Sequence, residues 1–151
     1  MTQQTPTVAV IGLGYIGLPT AAVLASAGAQ VTGIDVKETT IDAVNRGEVP
    51  FVEPDLGTVL AGAVKQGRLS AQFEVPHADN YIVAVPTPFK GNNEPDLSYI
   101  ETAAKNIAPQ LTGGELVILE STSPPGATER MAQIILESVS YTHLRAHETP
   151  E

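Results

Sequence analysis

Cysteine is absent from the 151-residue chain, so no disulfide framework and no thiolate metal site can be built from it. That fits a reducing compartment, and the cytoplasm is the expected location. Basic residues are scarce: eight Lys and Arg stand against seventeen Asp and Glu, a formal charge of −9. They are scattered, with no cluster to neutralise phosphates, so nucleic acid is not an expected partner. The acidity itself reads as solubility. No apolar run approaches the roughly 20 residues of a membrane span, so no membrane association is expected. Met1 to Thr7 carries no basic side chain, and glycines break the apolar run behind it, so no signal peptide is expected. Internal repeats and low-complexity tracts are missing too.

What is present is globular. The chain is 42% apolar, and at this length folding buries about two-thirds of the surface of an unfolded chain. Short apolar runs alternate with helical patterns. Val8–Ile11, Val31–Asp35, Leu69–Phe73, Tyr81–Val85 and Leu116–Leu119 read as strands, the third of them weak. Between them, Tyr15–Ala27, Thr39–Arg46, Asp55–Lys65 and Ser98–Pro109 read as helices, with Gly28 and Gly47 at helix ends. Asp55 is a candidate N-cap, and Ser98 with Glu101 a capping box. Pro125 is placed to open a last helix at its first turn, with Met131, Ile134 and Ile135 on one side. Residues 86–97 form a loop. Strands alternating with helices imply an α/β domain with a parallel sheet covered on both faces.

Gly12-Leu-Gly14-Tyr-Ile-Gly17 matches G-x-G-x-x-G between a predicted strand and a predicted helix. Gly12 permits a tight turn, Gly14 lets a pyrophosphate approach the backbone, and Gly17 lets the helix pack on the strand. The N–H groups around Tyr15 and Ile16 then face the phosphates, aided by the helix dipole. Asp35 ends the second strand, 18 residues past Gly17. A carboxylate there accepts from both ribose hydroxyls and repels a 2′-phosphate, which favours NAD over NADP. Lys37 lies close enough to temper that preference. The bland alternative is a glycine turn with a capping Asp. These features specify a Rossmann-type doubly wound sheet.

Two further loops fall at the C-terminal ends of strands, where open α/β sheets bind ligands. Val85-Pro-Thr87-Pro88 holds one hydroxyl between two prolines, which stiffen it. Glu120-Ser-Thr122-Ser-Pro-Pro-Gly126 precedes the last helix, and Thr122 is placed to bond a nicotinamide or a substrate-side water. Both also read as ordinary turns, the second as an N-cap. His77 reads as a surface residue.

The segments GLGYIGLPTA, FVEPDL, AVPTPFKG, EPDLSYIE and LVILESTSPPGATE, with Asp35, resemble the UDP-glucose/GDP-mannose dehydrogenase family over about Val8 to Glu137. The resemblance implies an enzyme that oxidises the C6 alcohol of a UDP-sugar to a carboxylate in two NAD-dependent steps. It implies that Tyr15, Ile16, Asp35, Thr87 and Thr128 touch NAD, with Gly12, Gly14, Gly17 and Val85 shaping the site. Thr122 would stand beside the nicotinamide as the catalytic hydroxyl, ordering a water. The family's nucleophilic Cys, its helper Lys and its sugar-binding domain come after this domain in the chain, and a homodimer is implied for the full-length protein. A thiol suits that chemistry as a strong nucleophile and good leaving group. A stand-alone NAD-binding module without catalysis remains the alternative class.

Residues 1–137 are thus expected to form one truncated NAD-binding domain. Residues 138–151 break the helix-to-strand rhythm. The string VSYTHLRAHETP resembles a tail seen on unrelated proteins and reads as translated adapter sequence, detached from the core or arbitrarily packed. His143 and His147 have the i, i+4 spacing of zinc ligands, but no third ligand lies nearby, and no metal is expected.

Overall fold

Each apolar run pairs with its neighbours because its N–H and C=O groups must be satisfied away from water. The strands are β1 (Thr7–Ile11), β2 (Gln30–Ile34), β3 (Leu69–Gln72), β4 (Asn80–Val83) and β5 (Leu116–Leu119). They lie side by side in the order β3-β2-β1-β4-β5, and every adjacent pair is parallel. The helices are α1 (Gly17–Ser26), α2 (Glu38–Asn45), α3 (Leu56–Lys65), α4 (Ser98–Ile107) and α5 (Ala127–Glu148). A 3-10 turn at Ala108–Gln110 extends α4. The computed structural model describes residues 4–120 and 124–148, with side chains to residue 139.

A parallel sheet needs cover on both faces, and β1 at its centre shows how that is met. Val8 and Val10 point into one cluster with Leu18, Ala21, Leu60 and Leu69, beneath α1 and α3. Ala9 and Ile11 point into a second cluster with Tyr81, Ile100, Ile107, Met131 and Ile134, beneath α4 and α5. Outward from the centre the cover thins. On β5, Val117 and Leu119 pack on the second cluster, while Leu116 and Ile118 point the other way and stay exposed. β3 is the opposite edge strand. Its Ala71 exchanges two hydrogen bonds with the Asn45 side-chain amide, at 2.8 and 3.0 Å, in place of a further strand.

Apart from α5, the strands and helices fall where the apolar runs place them, shifted by one or two residues at their ends. Gly28 ends α1 as anticipated. Its φ of +114° lets its N–H reach Ala25 O while Ala29 N–H reaches Leu24 O, so two last carbonyls are satisfied. Helix starts depart more. Ser98 is the first helical residue rather than the cap, and its N–H bonds to Asp96 Oδ1 at 2.9 Å, so no capping box forms. Asp55 does hold the cap position of α3, but in a left-handed conformation (φ +71°) with no side-chain cap bond. Pro125 lies in the turn before α5, not in its first turn.

α5 does not stop at Glu137 but runs on to Glu148. Val139 is half-buried against the second cluster. The side chains of His143 and His147 lie outside the described residues. At the sheet's N-terminal edge, His77 is half exposed as a surface residue should be, with Nδ1 2.9 Å from Gln110 O. Nearby, Thr112 and Gly113 N–H groups and the Thr112 hydroxyl donate to Glu115. They hold its carboxyl down at about 2 and lock the turn into β5.

Candidate functional site

The site grows from the way β1 ends. Gly12 N–H donates to Ile34 O and Ala84 N–H to Ile11 O, each at 2.8 Å, so the turn after β1 is wedged between the ends of β2 and β4. Gly12 has a φ of +98°, and a Cβ on it would stand 2.5 Å from Ala84 O. A Cβ on Gly17 would stand 1.7 Å from Gly12 O and 3.2 Å from the Ala84 Cβ. The first turn of α1 therefore lies directly on the turn after β1, and only glycine fits at both places.

Gly14 is different. A Cβ there would meet nothing within 4 Å. Gly14, Tyr15 and Ile16 are all exposed, and their backbone N–H groups have no acceptor among the described residues. Leu18 N–H already bonds Gly14 O, so α1 begins immediately behind them. Three free donors at a helix N-terminus, with open space in front, suit a pyrophosphate.

Asp35 stands beside this cradle, half-buried past the end of β2. Its Oδ2 accepts from Leu13 N–H and its Oδ1 from Lys37 N–H, both at 2.9 Å. The carboxylate thus pins the glycine turn to the start of α2, a role that its position in the sequence does not reveal. Each oxygen keeps a further lone pair for a ribose hydroxyl. The residue expected to read the ribose is held by backbone on both sides.

The structure therefore brings together Gly12, Gly14, Tyr15, Ile16, Gly17 and Asp35 as one group. Val85 adjoins them, its N standing 3.1 Å from where a Cβ on Gly12 would be. Val85 and Thr87 are half-buried on the loop after β4, and Thr128 is exposed in the first turn of α5. All three lie at the same C-terminal edge of the sheet, on its β4–β5 side. Thr122 lies outside the described residues.

Three contacts at this edge had no signal in the sequence pattern. Thr20 on α1 donates its hydroxyl to Glu120 Oε1 at 2.7 Å, tying the end of β5 to α1. The loop after β4 closes on itself, with Lys90 N–H on Glu94 O at 2.6 Å and Asp96 N–H on Pro88 O at 2.7 Å. Tyr15 packs its ring on Phe51, centroids 4.3 Å apart and planes tilted by 32°.

The chain is similar in sequence and in fold to known proteins. Over 131 residues, 87% of this chain, the sequence is 56% identical to UDP-N-acetyl-D-mannosamine dehydrogenase of Escherichia coli and covers 31% of that protein. Over 146 residues it is 49% identical to NDP-N-acetyl-D-galactosaminuronic acid dehydrogenase of Ralstonia nicotianae, covering 95% of this chain and 34% of that one. Among solved structures, UDP-D-ManNAc dehydrogenase of Pyrococcus horikoshii superposes with a TM-score of 0.85 at 39% identity, over 89% of this chain and 32% of its own. The chain thus spans about a third of the length of these relatives. Residues 6–151 match the model of the UDP-glucose/GDP-mannose dehydrogenase family, NAD binding domain, and it is to this family that the chain belongs.

Proposed function

We propose that this chain binds NAD for a nucleotide-sugar 6-dehydrogenase that converts UDP-N-acetyl-D-mannosamine to the uronate with two NAD. The observation that carries the reading is the cradle of free N–H groups at Gly14, Tyr15 and Ile16 beside the backbone-pinned Asp35. The PTPFKG, EPDL and ESTSPPGATE segments support the particular sugar, being most like those of UDP-N-acetyl-D-mannosamine dehydrogenases. UDP-N-acetylglucosamine and UDP-glucose are the alternative substrates, to be told apart by assaying all three with the full-length protein.

When bound, NAD supplies the hydride acceptor for both oxidation steps. This chain's residues do the holding. The N–H groups of Gly14 to Ile16 meet the pyrophosphate, and Asp35 meets the adenosine ribose. Val85 and Thr87 flank the nicotinamide half, Thr122 orders a water there, and Thr128 adds a hydroxyl from α5. The whole protein is proposed to be a cytoplasmic homodimer.

Asp35 provides the test. The parent chain is expected to bind NAD at least about tenfold more tightly than NADP, since a 2′-phosphate would meet the carboxylate. Asn in its place offers one acceptor where two N–H groups now point, so its amide must face a donor. Asp35→Asn is therefore expected to narrow the NAD/NADP ratio and also to weaken both, by about tenfold or more. Titration calorimetry with both dinucleotides checks this. Equal affinity of the parent for NAD and NADP would overturn the assignment, and absence of any dinucleotide binding would overturn the function.

We also propose that residues 138–151 are not native to the domain, which would then end at Glu137. A chain ending at residue 139 keeps Val139 in its contact. It is expected to unfold within ~0.5 kcal/mol of the 151-residue chain, as surface changes do. A loss of several kcal/mol in urea denaturation would show that the final turns of α5 belong to the fold.

A further inference from the structure

The connection between α2 and α3 carries the FVEPDL segment of the family resemblance, and the proposed function does not use it. In the structure this segment lies against the glycine turn. Phe51 is half-buried, with one side packed on the first core cluster, and its ring meets Tyr15 at 4.3 Å. Tyr15 is 68% exposed and sits between the free N–H groups of Gly14 and Ile16. The glycine turn is otherwise held at its two ends: by Gly12 N–H on Ile34 O, by Leu13 N–H on Asp35, and by the start of α1. Its outermost residue carries a ring, and that ring rests on a side chain anchored in the core.

We propose that Phe51 is a positioning residue for the dinucleotide, acting through Tyr15 to hold the pyrophosphate-binding turn in its donor-out conformation. This rests on the NAD reading above. A turn whose N–H groups converge on a ligand binds best when it is already ordered, because the entropy of ordering is then not lost on binding. A ring pair has directional contact beyond its burial and can supply that order. The neighbouring residues fit a support: Pro50 and Val52 are exposed while Phe51 between them is half-buried.

The test separates the pyrophosphate from the rest of the ligand. Phe51→Leu keeps an apolar plug against the core and removes the ring. In the 151-residue chain it is expected to weaken NAD and ADP-ribose about 3- to 10-fold, the range an aromatic pair's coupling converts to. Adenosine, which has no phosphate to meet the turn, should bind as to the parent, and Phe51→Tyr should restore NAD affinity. Tyr15→Ala removes only an exposed ring and keeps every N–H, so it tests the same contact should Phe51→Leu fail to fold. It should reproduce the loss, and the double variant should lose no more than either single one. Parent-like NAD affinity in Tyr15→Ala or in a folded Phe51→Leu would overturn the proposal alone. So would equal losses for NAD and adenosine, or additive losses in the double variant. No NAD binding by the parent would overturn the cofactor reading and this proposal with it.

Discussion

Gly17→Ala is expected to destabilise the domain by more than about 3 kcal/mol and to abolish NAD binding. The added methyl would stand 1.7 Å from Gly12 O and 2.9 Å from its carbon, both backbone atoms in a turn fixed by hydrogen bonds to β2 and β4. No rotamer can relieve that contact. Either α1 lifts from β1, exposing Leu18, Ala21 and Ala22, or the turn breaks. Losses of this size arise when a core is overpacked against something that cannot move. Gly14→Ala makes the control. Its methyl meets nothing within 4 Å, so stability should stay within ~0.5 kcal/mol, while NAD binding falls because the methyl occupies the space in front of the cradle. Urea denaturation and calorimetry of both variants measure the contrast. A Gly17→Ala chain as stable as the parent would mean that the turn after β1 is not packed as described.

The second large effect is an absence of turnover. The 151-residue chain is expected to form no NADH from UDP-N-acetyl-D-mannosamine or any other UDP-sugar, while the full-length protein does. The chain contains no cysteine, and the second oxidation by the family's route needs a thiol to hold the aldehyde as a thiohemiacetal. The first oxidation needs a sugar held against the nicotinamide, and the chain covers only 31% of the length of the Escherichia coli relative. Absorbance at the NADH band, measured with and without protein, decides the matter. NADH formation above the protein-free rate would refute the division of labour proposed between this domain and the remainder of the enzyme.

The sheet was legible because parallel strands buried on both faces must be short and apolar, and Val8–Ile11 and Tyr81–Val83 are both. Gly12, Gly14 and Gly17 were legible because each answers a backbone demand that no other residue meets. Helix starts were not. Ser98 and Glu101 have the spacing of a capping box, yet Asp96 competes for the same N–H and takes it. Such local contests turn on tenths of an ångström that spacing does not carry. The same holds for Asp35: its position at the end of β2 announced a carboxylate near a ribose, but its bonds to Leu13 and Lys37 depend on how the glycine turn folds back. Phe51 and Glu120 touch partners 36 and 100 residues away, and no periodicity connects them.

The position of β1 also governs the order in which the chain can fold. It is the first strand made and the middle one in space, so it must wait for a partner on each side. Val8 pairs with Val31 on one flank and with Asn80 on the other. At usual synthesis rates Asn80 emerges about 4 to 14 s after Val8. During that interval β1 and β2 can form with α1 over one face only, leaving Ala9 and Ile11 uncovered until β4, α4 and α5 arrive. Long-range parallel pairing of this kind is slow to close. The nascent chain therefore exposes the edge of its own central strand for seconds, and that edge, rather than any surface of the finished domain, is where premature association during synthesis should begin.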